Sequence, residues 1–256
     1  MRVLIKLGGT LLDSPDSLHH LASEITAAIA AGVQAVVVHG GGKQMTRFLA
    51  ERGVESQFIN GLRVTTPEII DAVVKVFAGS VNTQLVGAFR RAGARPVGLT
   101  GLDAGLVDAE VLSPELGQVG RPVHSDAGLL RVLVEGGYLP VIACIAGDRD
   151  GTIYNVNADQ MASACGAAFS ADKLLFLTDV EGVRGREGTT LDTLTVAEAR
   201  GLIQAGVASG GMQAKLESAI KALESGIKEV IVAPGAMPGA VASLLSGARI
   251  GTRLIP

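Results

Sequence analysis

Two glycine-rich segments hold the residues of this sequence that are best suited to chemistry. Residues 6–9 (K-L-G-G) follow one apolar run of strand length, and residues 39–42 (H-G-G-G) follow the next. Glycine lets the backbone touch a bulky anion, and free N–H groups at a strand-to-helix turn point at phosphate oxygens. One Gly-Gly pair alone is more often an ordinary turn. Two such loops, with Lys6 beside one of them, favour a phosphate site, although neither has the Walker A or dinucleotide-binding spacing.

The histidines and cysteines favour structural roles. His39 stands at the last strand position before a glycine turn, and it is interpreted as a hydrogen-bonded structural residue rather than a general base. The other histidines have no partner at metal-ligand spacing, and the sequence has no C-x-x-C motif. We therefore expect no zinc site, three surface histidines and two buried reduced thiols, namely His19, His20, His124, Cys144 and Cys165.

Strands and helices alternate along the chain, which is the pattern of a mostly parallel sheet covered on both faces. Ser14-Pro15 and Thr66-Pro67 each supply a helix N-cap followed by proline at the first helical position. The helix after Thr66 is expected to end near Gly93. The remaining predictions are strands at residues 3–7, 35–38, 96–99, 138–145, 173–177 and 229–232, helices at 15–32, 43–53, 127–135, 157–169, 196–205, 212–225 and 238–245, and edge hairpins within 101–124.

The composition indicates an apolar α/β protein. The 256 residues are 48% hydrophobic and 3% aromatic, so aliphatic side chains must fill the core, which suits strands buried on both faces. The net charge of −3, with no long run of one sign, gives no indication of a nucleic-acid or membrane partner. No stretch reaches the roughly 18 consecutive apolar residues of a membrane span, and the N-terminal apolar run is too short for a signal peptide. We expect a soluble, cytoplasmic protein.

Six segments, in order along the whole chain, resemble the amino acid kinase family. They are residues 6–9, 39–42, 60–65 (N-G-L-R-V-T), 155–160 (N-V-N-A-D-Q), 178–182 (T-D-V-E-G) and 210–212 (G-G-M) with Lys215. The resemblance implies an α/β fold, a three-layer sandwich with an open, mostly parallel central sheet. It implies one domain over 1–256, with an N-terminal acyl-substrate lobe at about 1–170 and a C-terminal nucleotide lobe at about 171–256.

The segments 60–65 and 155–160 resemble the family members that phosphorylate N-acetyl-L-glutamate, an early step of arginine biosynthesis. The reaction so implied transfers a phosphoryl group from ATP to the γ-carboxylate and gives N-acetyl-γ-glutamyl phosphate. A carboxylate with a pKa near 4.3 is already ionised at pH 7, so no general base is needed. The difficulty is that an anion attacks a polyanion, which calls for positive charge and backbone donors at the transferring group.

The resemblance also implies residue roles. The catalytic set is Lys6, Lys215, Asp159 and Gly9, in which Asp159 orients the two lysines and Gly9 donates an N–H group. Substrate-binding residues are Gly41, Gly42, Arg63 and Asn155, with the planar Arg63 fork suited to an α-carboxylate. The nucleotide-binding set is Asp179, Val180, Glu181, Gly182, Val183, Arg184, Val207, Ala208 and Ser209. Mg²⁺ is expected to bind through the phosphates of ATP and through water.

Some positions depart from the family pattern. Lys43 stands where proline is frequent, Leu102 where lysine is frequent, and Gln213-Ala214 replaces an Ile-Pro pair. The first two concern the acyl pocket, so a related substrate such as acetylaminoadipate is an alternative, because one methylene changes discrimination by only about 1–3 kcal/mol. A UMP kinase would need a pocket for the base and the ribose, and the sequence gives no sign of one. A non-catalytic nucleotide or amino-acid sensor on the same fold is a further alternative, which the two lysines and Asp159 disfavour.

The assembly expectation also comes from the resemblance. Arginine-sensitive hexamers of the family carry a helix ahead of the first strand, whereas the first strand here begins near Val3. We expect a homodimer that arginine does not inhibit strongly, since an effector needs a second site coupled to the first.

Overall fold

The computed structural model describes residues 1–8 and 11–256 of the chain. An eight-stranded sheet lies at the centre, and helices cover both of its faces. The strands are β1 Arg2–Leu7, β2 Gln34–His39, β3 Phe58–Ile59, β4 Leu62–Arg63, β5 Pro96–Thr100, β6 Val107–Val111, β7 Val119–Ser125, β8 Leu139–Ala143, β9 Ile145–Gly147, β10 Ile153–Val156, β11 Lys173–Thr178, β12 Thr193–Thr195, β13 Glu229–Pro234 and β14 Thr252–Ile255. The order of the strands in the central sheet is β12-β14-β13-β11-β1-β2-β8-β5.

The helices are α1 Pro15–Ala30, α2 Gly42–Ala50, α3 Pro67–Val73, α4 Asn82–Arg91, α5 Gly128–Glu135, α6 Ala158–Phe169, α7 Val196–Gln204, α8 Gly210–Glu224 and α9 Ala240–Ser246. Helices α1, α4 and α9 pack together on one face of the sheet, and α6, α7 and α8 pack together on the other. The fold class expected from the sequence, a three-layer α/β sandwich, is confirmed.

Strand β1 lies at the middle of the sheet and determines where the glycine loops meet. It pairs in parallel with β2 on one side and β11 on the other, and Lys6 is in register with Val38 and Phe176. All three strands therefore end at the same edge of the sheet, which is where ligands bind in open α/β folds. The pairing of β1 with β11 also makes one continuous core across residue 170.

Local sequence signals account for the helix starts. The Ser14 hydroxyl accepts a hydrogen bond from Ser17 N at the start of α1, and the Thr66 hydroxyl accepts one from Ile69 N at the start of α3. A side-chain oxygen at this position satisfies an amide that the helix itself leaves unpaired. The proline that follows each cap fixes φ and lacks the N–H that would go unused there.

The long helix predicted after Thr66 is continuous from Pro67 to Arg91, but its middle part, Val74–Val81, is π-helical. This 25-residue segment is long and apolar enough to cross a membrane, judged by length and hydropathy. Half of an 18-residue stretch of this segment is buried inside the fold, and its middle part packs against α2 and β5. Burial of this kind is typical of a core helix in a globular protein.

Two sequence predictions are wrong in detail. The single strand expected at 138–145 is divided at Cys144, and β8 and β9 belong to different sheets. The hairpin within 101–124 is not at the edge of the central sheet, because β6 and β7 join β9 and β10 in a small closed sheet. The bend at Cys144 has no glycine or proline to signal it, and the Cys144 carbonyl accepts from Val156 N at 3.1 Å, a contact distant in sequence.

Candidate active site

Three charged side chains meet beyond the carboxyl end of β1. Lys6 Nζ lies 3.0 Å from Asp159 Oδ1, and Lys215 Nζ lies 2.9 Å from Asp159 Oδ2. Lys6 is on β1, Asp159 is in the first turn of α6, and Lys215 is on α8. Each side chain is at most 10% exposed. The structure thus brings together the two lysines and the aspartate that the sequence singled out, although 56 residues separate Asp159 from Lys215.

The electrostatics of this cluster favour a charged carboxylate. Burial by itself would raise the pKa of Asp159, but the Lys6 and Lys215 ammonium groups outweigh it and lower that pKa to about 2. The pKa of Lys215 is lowered, by burial and by the charge of Lys6. With both lysines protonated, the cluster carries one net positive charge in a site shielded from water, where charge interactions are strong.

The local sequence holds each member in place. Asn157 caps α6 by accepting from Asp159 N at 2.9 Å and from Gln160 N at 3.2 Å, which fixes the turn that carries Asp159. The Lys6 side chain folds over the backbone of Gly8, where an added Cβ would lie 2.3 Å from Lys6 Nζ. A side chain at position 8 would therefore displace the Lys6 ammonium group. Gly9, predicted to donate an N–H group, lies outside the described residues.

One cavity of about 360 Å³ lies on the Lys6 side of the cluster. Its walls come from the glycine loop after β2, the β3–β4 hairpin and the junction between β10 and α6. The hairpin turn is Asn60-Gly61, with φ of 50° and 78°, the left-handed pair that a two-residue turn demands. The predicted substrate residues all line this cavity: Gly41, Gly42, Arg63 and Asn155.

Arg63 is held by the protein on several sides. Its Nη2 donates to Gly42 O at 3.1 Å and to Thr46 Oγ1 at 2.8 Å, and its Nη1 donates to Ser56 Oγ. The guanidinium carbon lies 4.7 Å from the centre of the Phe58 ring. Burial lowers the pKa of Arg63. These bonds use three of the five N–H donors of a guanidinium, so two are not taken up by them.

Asn155 and Lys43 complete this cavity. Asn155 Nδ2 donates to Thr65 Oγ1 at 3.1 Å, so part of its hydrogen-bonding capacity is used within the protein. Lys43 lines the cavity with a half-exposed side chain, 4.0 Å from Asp13. Leu102 does not meet the expectation that it lies near the acyl pocket, because its side chain packs against Gly147 in the small closed sheet.

The buried His39 side chain holds the glycine loop after β2 through a hydrogen bond to the Gly40 backbone. Its pKa is lowered to about 4, because burial opposes the charged form more than the hydrogen bond to Gly40 favours it. The neutral ring contacts Gly40 O through Nδ1 at 2.7 Å, and its Nε2 accepts from Asn82 Nδ2 at 2.9 Å. The structural interpretation of His39 is therefore confirmed. His19 and His124 are exposed as expected, whereas His20 is half-buried and paired with Glu24.

The two cysteines are buried, free thiols, as the sequence indicated. Burial raises the pKa of each to about 12, so neither forms a thiolate at neutral pH. Cys144 lines the cavity next to Lys6 in this neutral form.

A second cavity of about 360 Å³ lies on the Lys215 side of the cluster. Asp179 and Val180 line it, as the nucleotide prediction requires. Gly210, Gly211 and Met212 line it as well, although they were missing from the predicted nucleotide set; the G-G-M motif before Lys215 was the signal for them.

The other predicted nucleotide residues lie farther from this cavity. Val183 and Ala208 have side chains buried in the core, and Val183 N donates to Thr252 Oγ1 at 2.8 Å. Gly182 is also buried, Val207 is half-buried, and the side chains of Glu181, Arg184 and Ser209 are exposed. These seven residues do not line the cavity beside Asp179.

The two cavities share walls. Gly61, Leu62 and Asn157 line both of them. Lys6 belongs to the first cavity, Lys215 belongs to the second, and Asp159 lies between the two ammonium groups. This arrangement can hold two anionic ligands end to end, with positive charge on both sides of the point where they meet.

Metal ligands do not cluster in the described part of the chain: within residues 1–8 and 11–256, no three His, Cys, Asp or Glu side chains are grouped to hold an ion.

This chain is similar to known proteins in sequence and in fold. A family model described as Amino acid kinase family matches residues 1–234. Acetylglutamate kinase from Solibacter usitatus is 58% identical over 255 residues, covering 100% of this chain and 99% of the relative. Acetylglutamate kinase from Bartonella tribocorum is 40% identical, over 99% of this chain and 89% of the relative. The structure of N-acetylglutamate synthase from Neisseria gonorrhoeae, complexed with coenzyme A and N-acetyl-glutamate, superposes with a TM-score of 0.87 at 25% identity, over 100% of this chain and 59% of that chain. The chain belongs to the amino acid kinase family.

Proposed function

We propose that this protein transfers the γ-phosphoryl group of ATP to the γ-carboxylate of N-acetyl-L-glutamate, giving N-acetyl-γ-glutamyl phosphate for arginine biosynthesis. The observation that carries the proposal is the buried Lys6–Asp159–Lys215 cluster at the junction of two cavities. Two relatives named acetylglutamate kinase, at 58% and 40% identity over nearly the whole chain, support the choice of substrate.

The cluster suits phosphoryl transfer between two anions. The acyl carboxylate in the first cavity is already ionised and attacks the γ-phosphorus directly, so the bond from phosphorus to the ADP oxygen breaks as the new one forms. Lys6 and Lys215 stabilise the charge that builds up on the transferring group, one from each side. Asp159 holds the two ammonium groups apart and oriented, so that they need not reorganise during the reaction.

The first cavity fits an acyl amino acid with two carboxylates. The γ-carboxylate would lie near Lys6 and the α-carboxylate near Arg63, which lines the same cavity. Asn155 and the amides of the glycine loop after β2 would complete the polar contacts. The nucleotide, in the second cavity beside Asp179 and Lys215, enters as its magnesium complex. Its metal would be held by phosphate oxygens and water, since the described residues form no ligand cluster.

One assay tests the reaction. Purified protein is incubated with ATP, Mg²⁺ and hydroxylamine, which traps an acyl phosphate as a coloured hydroxamate. Acetylglutamate should give hydroxamate in amounts equal to the ADP formed, whereas glutamate, aspartate and UMP should give little or none. Equal turnover of acetylaminoadipate would change the assigned substrate, and ADP release with no trapped product would refute acyl-phosphate formation.

We further propose a cytoplasmic homodimer. Cytoplasmic ATP suits the proposed reaction. Strand β5 ends the central sheet, so its outer edge can pair with a second copy, and Tyr138 exposes 38% of its surface beside Arg95, the residue before β5. Light scattering coupled to size exclusion measures the mass, and a monomer at micromolar concentration would refute the dimer.

A further inference from the structure

Thr46 lies in the second turn of α2, at the wall of the first cavity. Its hydroxyl donates to Gly42 O at 2.9 Å, an ordinary bond from a helical threonine to the carbonyl four residues earlier. The same oxygen accepts from Arg63 Nη2 at 2.8 Å. A hydroxyl has one donor and two acceptor positions, so both bonds can be made together.

The result is a closed set of contacts around one end of the guanidinium. Gly42 O accepts from Arg63 Nη2 at 3.1 Å and from Thr46, so carbonyl, hydroxyl and guanidinium are joined pairwise. Ser56 accepts from Nη1, and the Phe58 ring lies under the guanidinium carbon. These contacts already order a long side chain in the free protein, so less rotamer entropy is lost when a ligand binds to it.

The set also links Arg63 to the glycine loop. Gly42 is the first residue of α2 and Gly41 precedes it, and both line the same cavity as Arg63. Thr46 therefore connects the two polar parts of the cavity that face an acyl substrate, the loop amides and the guanidinium.

We propose that Thr46 is a positioning residue: through Arg63 it sets the affinity and selectivity of the first cavity for a substrate α-carboxylate. The inference rests on the proposed function, because it takes an N-acylated acidic amino acid as the occupant. Thr46 acts through Arg63 and not on the reacting atoms, so its loss weakens substrate binding more than turnover.

The test compares Thr46→Val, which keeps the side-chain shape but removes the hydroxyl, with Thr46→Ser, which keeps the hydroxyl. Ser23→Ala is the matched control, because the Ser23 hydroxyl makes the same kind of bond, to His19 O, at an exposed position of α1. Thr46→Val should raise the KM for acetylglutamate about tenfold, with kcat and the KM for ATP within twofold of wild type. Thr46→Ser should restore most of the affinity, and Ser23→Ala should change nothing. A Thr46→Val enzyme with wild-type KM for acetylglutamate overturns the inference.

Selectivity gives a second readout that a merely structural role would not move. The wild type should prefer acetylglutamate strongly over its α-carboxamide analogue, and Thr46→Val should lower that preference about tenfold. In an Arg63→Gln background, Thr46→Val should add no further change in KM. A full additional effect there would mean that Thr46 touches the substrate directly and would refute the positioning role.

Folding and activity controls distinguish a failure of this inference from a failure of the proposed function. Thermal melting of each variant shows whether it folds. If the valine variant does not fold, Thr46→Ala replaces it in the kinetic comparison. If the wild type forms no acyl phosphate from acetylglutamate, the proposed function is wrong and this inference is wrong with it. If the wild type is active and the variants at position 46 match it, only the inference is refuted.

Discussion

Replacing Asp159 with asparagine would remove the single negative charge between two buried ammonium groups. The amide keeps the size of the side chain but can neutralise neither Lys6 nor Lys215, whose Nζ atoms lie 3.0 and 2.9 Å from the carboxylate oxygens. Two like charges would then face each other in a site that excludes water. Breaking a buried ion pair on one side only is among the more damaging changes a protein can undergo.

The pKa of Asp159 gives the size of the effect. A fall from 3.8 to about 2 corresponds to roughly 2–3 kcal/mol of stabilisation of the folded state. The folded pKa is the lower one, so this stability is fully present above pH 4 and is lost as the pH falls through about 2. Asp159→Asn should forfeit it at pH 7, which for a chain of this length lowers Tm by roughly 5–10 °C.

The remaining lysines should respond to the lost charge. Without the carboxylate, the pKa of Lys215, already lowered by burial and by Lys6, should fall further. A lysine that loses its proton no longer stabilises the transferring phosphoryl group. We expect kcat to fall roughly 10²-fold at pH 8 and the residual activity to rise as the pH is lowered towards 6, more steeply than in the wild type.

Hydroxamate trapping at several pH values, with thermal melting of the same samples, measures both effects. Asp71→Asn is the matched control, because Asp71 pairs with Lys75 on the exposed surface of the helix Pro67–Arg91. An ion pair at such a position contributes less than about 1 kcal/mol. If Asp159→Asn melts and turns over like the wild type across this pH range, the orienting role of Asp159 is refuted.

Three further substitutions test other parts of the site. Lys215→Ala should lower kcat by roughly 10²–10³ with a smaller change in either KM; steady-state kinetics showing a near-normal kcat would remove Lys215 from the catalytic set. Arg63→Lys should raise the KM for acetylglutamate much more than the KM for ATP, since an ammonium cannot reproduce the guanidinium contacts; equal rises would contradict an α-carboxylate site there. Gly8→Ala should displace the Lys6 ammonium, 2.3 Å from the new Cβ, and reduce kcat while the protein stays folded; Gly87→Ala, which meets no atom within 4 Å, is its control in kinetics and melting.

The features that the sequence predicts correctly are those that depend on residues close together in the chain. Ser14-Pro15 and Thr66-Pro67 identify two helix starts, because a cap and a proline act within one turn. Aliphatic runs identify β1 and β2 within one or two residues. The family assignment, made from six short segments, is confirmed by the family model and by the identity to known relatives.

The features that the sequence does not predict are those that depend on contacts between distant segments. Strand β14 enters the central sheet antiparallel to β13, and nothing in its residues signals that direction. The hydrogen bonds from Arg63 to Thr46 and Ser56 form because the fold brings α2 and the segment ahead of β3 next to Arg63. The bond between His39 and Asn82 likewise joins residues 43 apart in the chain.

The walls shared by the two cavities have a consequence for ligand design. Gly61 and Leu62, at the turn of one hairpin, line both the first cavity, proposed for the acyl substrate, and the second, proposed for the nucleotide. A single molecule that joins an acyl amino acid to a nucleoside through a phosphate chain would therefore occupy both cavities over the same hairpin. Once one half is bound, the other is present at an effective concentration in the millimolar range or above. Such a tethered compound should bind far more tightly than either half alone, and the length of its phosphate chain would report the spacing between the two sites in solution.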